Sequence, residues 1–303
     1  MPPVTDSHDF RPPSAEQVRQ HLSDHPPTGP SRVMLWLPLV ALGLLVGVLL
    51  SRAGPLSALL PWLLLGGLLG VTAFRAQWMR DLEGRCQQAQ ELSMHKQHAR
   101  ALRLAWRLIP RTQTLPHLHA RSTAVMAHSL DQVLAADAAI VVYDFLIERM
   151  SEGHPGVMQF RARRAVAQFL SDRLLDGDVS LRRLRADVSD STPPATRAAI
   201  RLAELLQQVR TNHFTDALQT EPGLLEQLRP LGLEAAYGYG LMALCHLRQP
   251  DTGDPHVSSR HASQARKWWT DATLLLPVST LTRRLPELAR VPELLAARSQ
   301  QTL

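Results

Sequence analysis

The chain has 303 residues, 45% of them apolar, 20% charged and 5% aromatic, with 33 basic against 27 acidic groups and a net charge of +6. That length accommodates one or two domains with a sizeable core. The two cysteines, Cys86 and Cys245, lie far apart, which argues against a disulfide-stapled secreted fold and against a CxxC-type zinc or redox motif.

Residues 1–32 hold Pro2, Pro3, Pro12, Pro13, Pro26, Pro27 and Pro30 and few large apolar groups. Such a composition cannot bury enough surface to offset chain entropy, so a disordered cytoplasmic tail is expected. Within it, residues 14–22 read as a short helix, with Ser14 as N-cap and Gln17 at the third helical position.

Residues 33–50 (VMLWLPLVALGLLVGVLL) and 58–74 (ALLPWLLLGGLLGVTAF) are uncharged. A helix of that length spans roughly 26 Å, near the ~30 Å hydrocarbon core of a bilayer. Segments 33–50 and 58–74 are therefore expected to form a transmembrane helical hairpin, each helix satisfying its own backbone. Arg19 and Arg32 precede the pair, Arg75, Arg80 and Arg85 follow it, and only Arg52 lies between the runs. That asymmetry places both termini in the cytoplasm, in a multi-pass protein of a bacterial inner or cytoplasmic-type membrane. Gly43 and Gly47 in the first run, and Gly66 and Gly70 in the second, form G-x-x-x-G pairs. Small residues four apart let helices approach closely, within the hairpin or between two copies in a homodimer.

Residues 75–94 continue as a juxtamembrane helix, and residues 95–303 read as all-α. Breakers divide that stretch into helices near 95–109, 115–134, 136–151, 157–175, 180–188, 195–210, 213–231 (interrupted by Pro222), 233–247, 258–276 and 280–297 (broken by Pro286 and Pro292). Asp176-Gly-Asp178 reads as a polar turn between two of them. Helices of this length with short connections suggest stacked hairpins, an α-solenoid-like array. Three segments closed by proline, residues 99–110, 137–155 and 262–277, carry small residues at Ala99, Ala138 and Ala265 and aromatic knobs at Trp106, Tyr143 and Trp269. Together they resemble the second helices of a degenerate tetratricopeptide-like helical repeat protein. The resemblance implies a binding scaffold for protein partners and no catalysis.

Chemistry-bearing clusters are sparse. His95, His98, His117 and His119 could converge as metal ligands across a hairpin, but they lack a HExxH pattern and a neighbouring carboxylate, so no metal, cofactor or catalytic residue is expected. Gly238 and Gly240 follow no strand and read as a close-packing helix face, not a phosphate cradle. Between residues 161 and 185 seven Arg face three Asp, and Arg161, Arg163, Arg164, Arg182 and Arg183 are candidates for contact with a partner or anionic lipid. Phe160 and Phe169 fall at helical spacing and read as core, not as base-stacking aromatics, so nucleic acid is not expected as a partner. The favoured expectation is a membrane-anchored helical-repeat adaptor at the cytoplasmic face. The alternatives are an accessory subunit of a larger membrane complex and a metal-assisted enzyme using the His cluster. In the C-terminal pair, Ala262, Ala265, Trp269 and Ala272 share a face, which predicts Trp269 in the core and Trp268 more exposed.

Overall fold

A computed structural model of the chain describes residues 10–28, 43, 60–151, 154–249 and 255–301. Among these residues the structure is all-helical, with no strand. The helices are α1 (Ala15–Asp24), α2 (Leu60–Met94), α3 (His98–Thr112), α4 (Pro116–Gln132), α5 (Ala136–Arg149), α6 (Pro155–Leu170), α7 (Leu174–Asp187), α8 (Pro194–Arg210), α9 (Phe214–Gln219), α10 (Leu224–Leu228), α11 (Ala235–Leu247), α12 (Pro255–Leu275), α13 (Val278–Arg284) and α14 (Val291–Gln301). Short 3₁₀ segments, Arg229–Glu234 and Pro286–Arg290, precede α11 and α14. The chain divides into two compact units, Met1–Ala138 and Ala139–Leu303.

Four connections are built alike. After α2, α4, α6 and α8 comes a three-residue turn whose middle residue is left-handed: Lys96 (φ 60°), Leu134 (φ 66°), Asp172 (φ 59°) and Asn212 (φ 60°). In each turn the three amides donate to carbonyls four, three and five residues back, as His95 does to Glu91, Lys96 to Ser93 and Gln97 to Leu92. These bonds satisfy the last carbonyls of the helix and reverse the chain without glycine. Five residues beyond each left-handed position stands a small buried residue: Ala101, Ala139, Gly177 and Ala217. A left-handed leucine costs about 1–2 kcal/mol that glycine does not. Leu134 is 39% exposed and so contributes little packing in return. Leu134→Gly should therefore raise the urea midpoint of the purified chain, by about 1 kcal/mol in stability; an unchanged or lower midpoint would contradict this account of the turn.

In the first unit α2, α3 and α4 pack together. The α2 stripe Leu82, Cys86, Ala89 and Ser93 is buried, at steps of four, three and four that keep it on one helix face. Cys86 Sγ lies 3.2 Å from Ser122 Oγ on α4, and Arg121 donates to Gln90 Oε1 through two nitrogens at 3.0 and 2.7 Å. The N-terminal stretch, expected to be largely disordered, is instead ordered from Phe10 to Thr28. Ser14 caps α1 in a full capping box with Gln17, as its residue pattern predicts, and Val18 and Leu22 are buried.

The anchoring point of α1 follows from a proline. Pro110 lies inside α3, where the pattern predicts the helix to end. It has no N–H to give the Trp106 carbonyl one turn earlier. The His21 Nε2–H takes that place, donating to Trp106 O at 3.1 Å, while the His21 ring stacks on the Trp106 indole at 3.9 Å. The segment closes with Thr28, whose amide donates to Gln113 O at 2.9 Å.

The two-span expectation falls largely outside the described residues. Among the described residues no helix is long and apolar enough to cross a membrane. The first run, residues 33–50, lies outside the described residues except for Gly43, and Gly47 lies outside them too. The second run opens α2, and only its residues 60–74 are described before Arg75 ends the apolar stretch. Gly66 and Gly70 are exposed, with no described atom within 4 Å of the place a Cβ would take. Leu69, Val71 and Phe74 are 60%, 52% and 72% exposed.

In the second unit the core centres on α11, every residue of which is buried. It packs against α8, α12 and the C-terminal segments. Gly238 and Gly240 make this possible, as the small-residue reading expects: added Cβ atoms would stand 2.3 Å from Leu228 Cδ1 and 2.7 Å from Leu288 Cδ1. One boundary shifts from the expected one. The break expected at Asp176-Gly-Asp178 lies instead at residues 171–173, around left-handed Asp172, and the Asp-Gly-Asp sequence sits inside α7. Gly177 is buried there because the Phe169 ring occupies the space of its missing side chain. Pro222 interrupts the 213–231 stretch, as expected, dividing it into α9 and α10. The α12 register also differs from the expected one. Trp268 is buried with Ala262, Ala265 and Ala272, and Trp269 is half-buried. Trp268 and Trp269 each fit a three-or-four spacing from the alanines, so periodicity did not separate them; the partner of the Trp268 indole N–H did.

Candidate functional site

A part-buried polar assembly inside the second unit joins α11, α12 and the turn before α10. Trp268 donates its indole N–H to Glu221 Oε1 at 2.7 Å. His246 Nε2 lies 3.0 Å from the same oxygen, and His246 Nδ1 lies 3.0 Å from Nδ1 of His261. A carboxylate only accepts, so Glu221 fixes the proton of neutral His246 on Nε2. Its Nδ1 is then a lone pair, and in this arrangement His261 donates to it. His246 is buried, with 4% of its side chain exposed, while Glu221 keeps 29% and His261 is half-buried. Burial, then the neighbouring His246, then Arg298 and Arg260 hold His261 below the usual histidine range, against an opposing pull from Glu221. Arg298 is itself tied to the end of α11, donating to Leu247 O at 3.2 Å and Gln249 O at 3.0 Å.

This group has no sequence motif. His246 and His261 stand fifteen residues apart on two helices, and Glu221 lies in a turn after α9. Their one signal in the sequence is a polar position inside the otherwise apolar stretch 235–247.

The histidines singled out from the sequence have other surroundings. His95 Nδ1–H donates to Glu91 O at 2.8 Å, and His98 meets His128 edge-on with ring centres 5.7 Å apart. His119 is buried beside Thr112 Oγ1 at 3.3 Å, and His117 is exposed. Among the described residues no group of three or more His, Cys, Asp or Glu is placed to hold a metal ion.

The candidate contact arginines fall mostly into ion pairs within their own unit. Arg161 pairs with Asp187 at 3.1 Å, Arg164 with Asp144 at 2.7 Å, Arg163 with Glu234 and Arg182 with Asp178. Arg163 and Arg164 keep only 20% and 19% of their side chains exposed, so their charge is spent between helices. Arg183 is exposed.

Among the described residues, each unit carries a broad groove. In the first, about 630 Å³ lies between the N-terminal segment and α3, lined by Phe10, His21, Arg103, Trp106 and Arg107 among others. The Arg103 guanidinium stands 5.7 Å from the Phe10 ring centre. In the second, about 620 Å³ lies along α8, lined by Arg185, Arg197, Ile200, Arg201, Glu204 and Glu226 among others. Glu204 takes hydrogen bonds from both Arg185 and Arg201 there, at 2.8 and 2.7 Å. Comparisons with family models, with curated proteins and with solved structures find no match to this chain.

Proposed function

We propose that the chain is a membrane-anchored helical adaptor whose hairpins offer grooves to protein partners at the cytoplasmic face. One observation carries the anchoring: the two chain segments that flank the apolar stretch leave the first unit at the same end. Counting back from the 95–97 turn by the 15 residues of α3 sets the end of α3 level with about Arg80 of α2. Thr28 is bonded at that end, to Gln113. The exposed apolar part of α2 emerges just beyond it, with Arg75 and half-buried Trp78 between. Arg32 and Arg75 flank the two apolar runs of the sequence, the cation placement that the inside rule asks of a hairpin whose ends face the cytoplasm.

The repeat character of the helical array is supported by the left-handed turns at 96, 134, 172 and 212, which stand 38, 38 and 40 residues apart. Each has a small buried residue five positions on. We read this 38- to 40-residue spacing as a degenerate helical repeat; of the expected contact alanines, Ala138 and Ala265 are buried and Ala99 is half-buried. Such stacked pairs are suited to holding extended or helical segments of a partner.

Topology tests the anchoring. The native Cys86 and Cys245 are buried, which keeps background labelling low. Cysteines introduced at Ser7 and Ser299 are expected to escape an impermeant thiol reagent in intact cells, and one at Ser57 to react. Reaction at Ser299 before lysis, or a chain washed off membranes by alkaline carbonate, would end this reading.

A further inference from the structure

We infer that the outward face of α3 is the docking site for an acidic helical segment of a protein partner, laid along a row of four arginines. The inference rests on the adaptor reading above and names the surface and the chemistry of the partner. Arg100, Arg103, Arg107 and Arg111 follow one another at steps of three, four and four, and all four are exposed. Such steps keep them on one helix face. The row extends along the helix for about 16 Å. Helix α3, HARALRLAWRLIPRT, has no Asp or Glu of its own. Among the described residues none of the four arginines pairs with a carboxylate: Arg100 donates to Gln97 Oε1 at 3.0 Å, and Arg103 stands over the Phe10 ring. The arginines of residues 161–185 behave differently, Arg161, Arg163, Arg164 and Arg182 each meeting an acid.

The fold gains little from this row. Like charges three and four residues apart on a helix repel. Arg111 sits favourably in the last turn, but Arg100 places a cation in the first, against the positive end of the helix, where no acidic residue offsets it. Cations kept at a local cost belong to a surface whose complement comes from elsewhere. The row borders the groove of the first unit, where, among the described residues, the charged lining is Arg11, Arg103 and Arg107 against Asp24 alone. Half-buried Phe10 and Trp106 and buried Leu102 give that groove an apolar side. The other acid of α1, Glu16, is already held by Arg19 at 2.6 Å. A partner helix with acids at three- and four-residue steps matches the row, and apolar residues on its adjoining face match the groove. Membrane lipid fits less well. With the bilayer at the Gln113 end, as proposed above, Arg111 alone is near it, and Arg100 lies about 16 Å farther, beyond the ~8 Å screening length of physiological salt. Nucleic acid would want free aromatic faces, yet His21 stacks on Trp106 and Arg103 stands over Phe10.

The test uses the full chain in an uncharged detergent and a dye-labelled, helix-forming peptide with glutamates at steps of three and four and leucines on the adjoining face. The peptide is expected to bind, and to bind more weakly as salt is raised; its counterpart with glutamine for every glutamate should not bind. Arg103→Glu combined with Arg107→Glu should weaken binding by about tenfold or more, and the pair Arg103→Gln with Arg107→Gln by less. Arg183→Glu, at an exposed cation elsewhere, should leave it unchanged. Arg100→Glu separates recognition from folding: it should weaken binding yet raise the melting temperature, since it puts an acid in the first turn. The inference fails if the peptide does not bind, if the charge reversals leave its affinity unchanged, or if Arg183→Glu weakens it equally. It fails also if Arg100→Glu lowers the melting temperature, which would show that the arginine serves the fold, or if a single-stranded oligonucleotide binds more tightly through the same arginines. These outcomes are separate from the topology experiment: a chain that fails the anchoring test still binds the peptide in detergent, and one that ignores the peptide still labels as an anchored chain.

Discussion

Trp268→Ala is expected to be among the most damaging single changes in the second unit. The side chain is 6% exposed, its ring lies 5.5 Å from that of Tyr239, and its N–H holds Glu221 in place for His246. Truncation therefore opens a cavity between α11 and α12 and strips a part-buried carboxylate of a donor. Removing a buried tryptophan costs about 3–5 kcal/mol. For a unit of this size that lowers the melting temperature by about 6–20 °C. Trp268→Phe restores most of the volume without the donor and should recover part of the loss, the remainder being on the order of 1–3 kcal/mol for the unmet hydrogen bond. Trp269→Ala, at a half-buried neighbour, should cost clearly less. Equal melting of the two alanine variants would show that the α12 register described above is wrong.

Gly177→Ala provides the second large effect, with a sign opposite to helix propensity. Alanine in a helix interior is worth up to about 1 kcal/mol over glycine. Yet a Cβ at Gly177 would stand 2.8, 2.9 and 3.0 Å from three atoms of the Phe169 ring, which is 0% exposed and has no free direction to move. Overpacking of this kind costs about 1–3 kcal/mol and should outweigh the propensity gain. Gly84, exposed on α2 with nothing within 4 Å of the place a methyl would take, is the control. Gly84→Ala should stabilise the first unit by up to about 1 kcal/mol, measured as a shift in denaturant midpoint at constant slope. If Gly177→Ala also stabilises, Phe169 has room that the packing described here denies it.

These residues also mark how far the sequence could be read. The helical class and most helix positions follow from period and breakers, and the α1 cap was legible because Ser14 and Gln17 act on their own neighbours. What was missed depends on partners distant in the chain. Asp172 turns the chain although it is neither glycine nor proline, so the break was assigned to the nearby Asp-Gly-Asp. Pro110 looks like a helix end until His21 takes up the carbonyl that it leaves open. Trp268 and Trp269 both satisfy the spacing, and a hydrogen bond to a residue 47 positions away decides between them. The His246–His261 pair has no local pattern at all. For the arginine cluster, composition records the cations of residues 161–185 but not the carboxylates that tertiary structure brings to Arg161, Arg163 and Arg164.

The complete burial of α11 has a consequence for how this protein is made. Its covering layer comes last in the chain: α12, then Leu281, Leu285, Leu288 and Val291, all buried, with Leu288 against Gly240. A chain released at residue 247 therefore carries a thirteen-residue helix of almost wholly apolar surface, AAYGYGLMALCHL, without the part of its cover that α12 and the C-terminal segments supply. Nascent chains at that stage carry an exposed sticky segment and should engage holdase chaperones, or aggregate where these are scarce. Messages truncated between codons 248 and 285 should accordingly yield insoluble or rapidly degraded products, whereas loss of the last few residues after α14 should be tolerated.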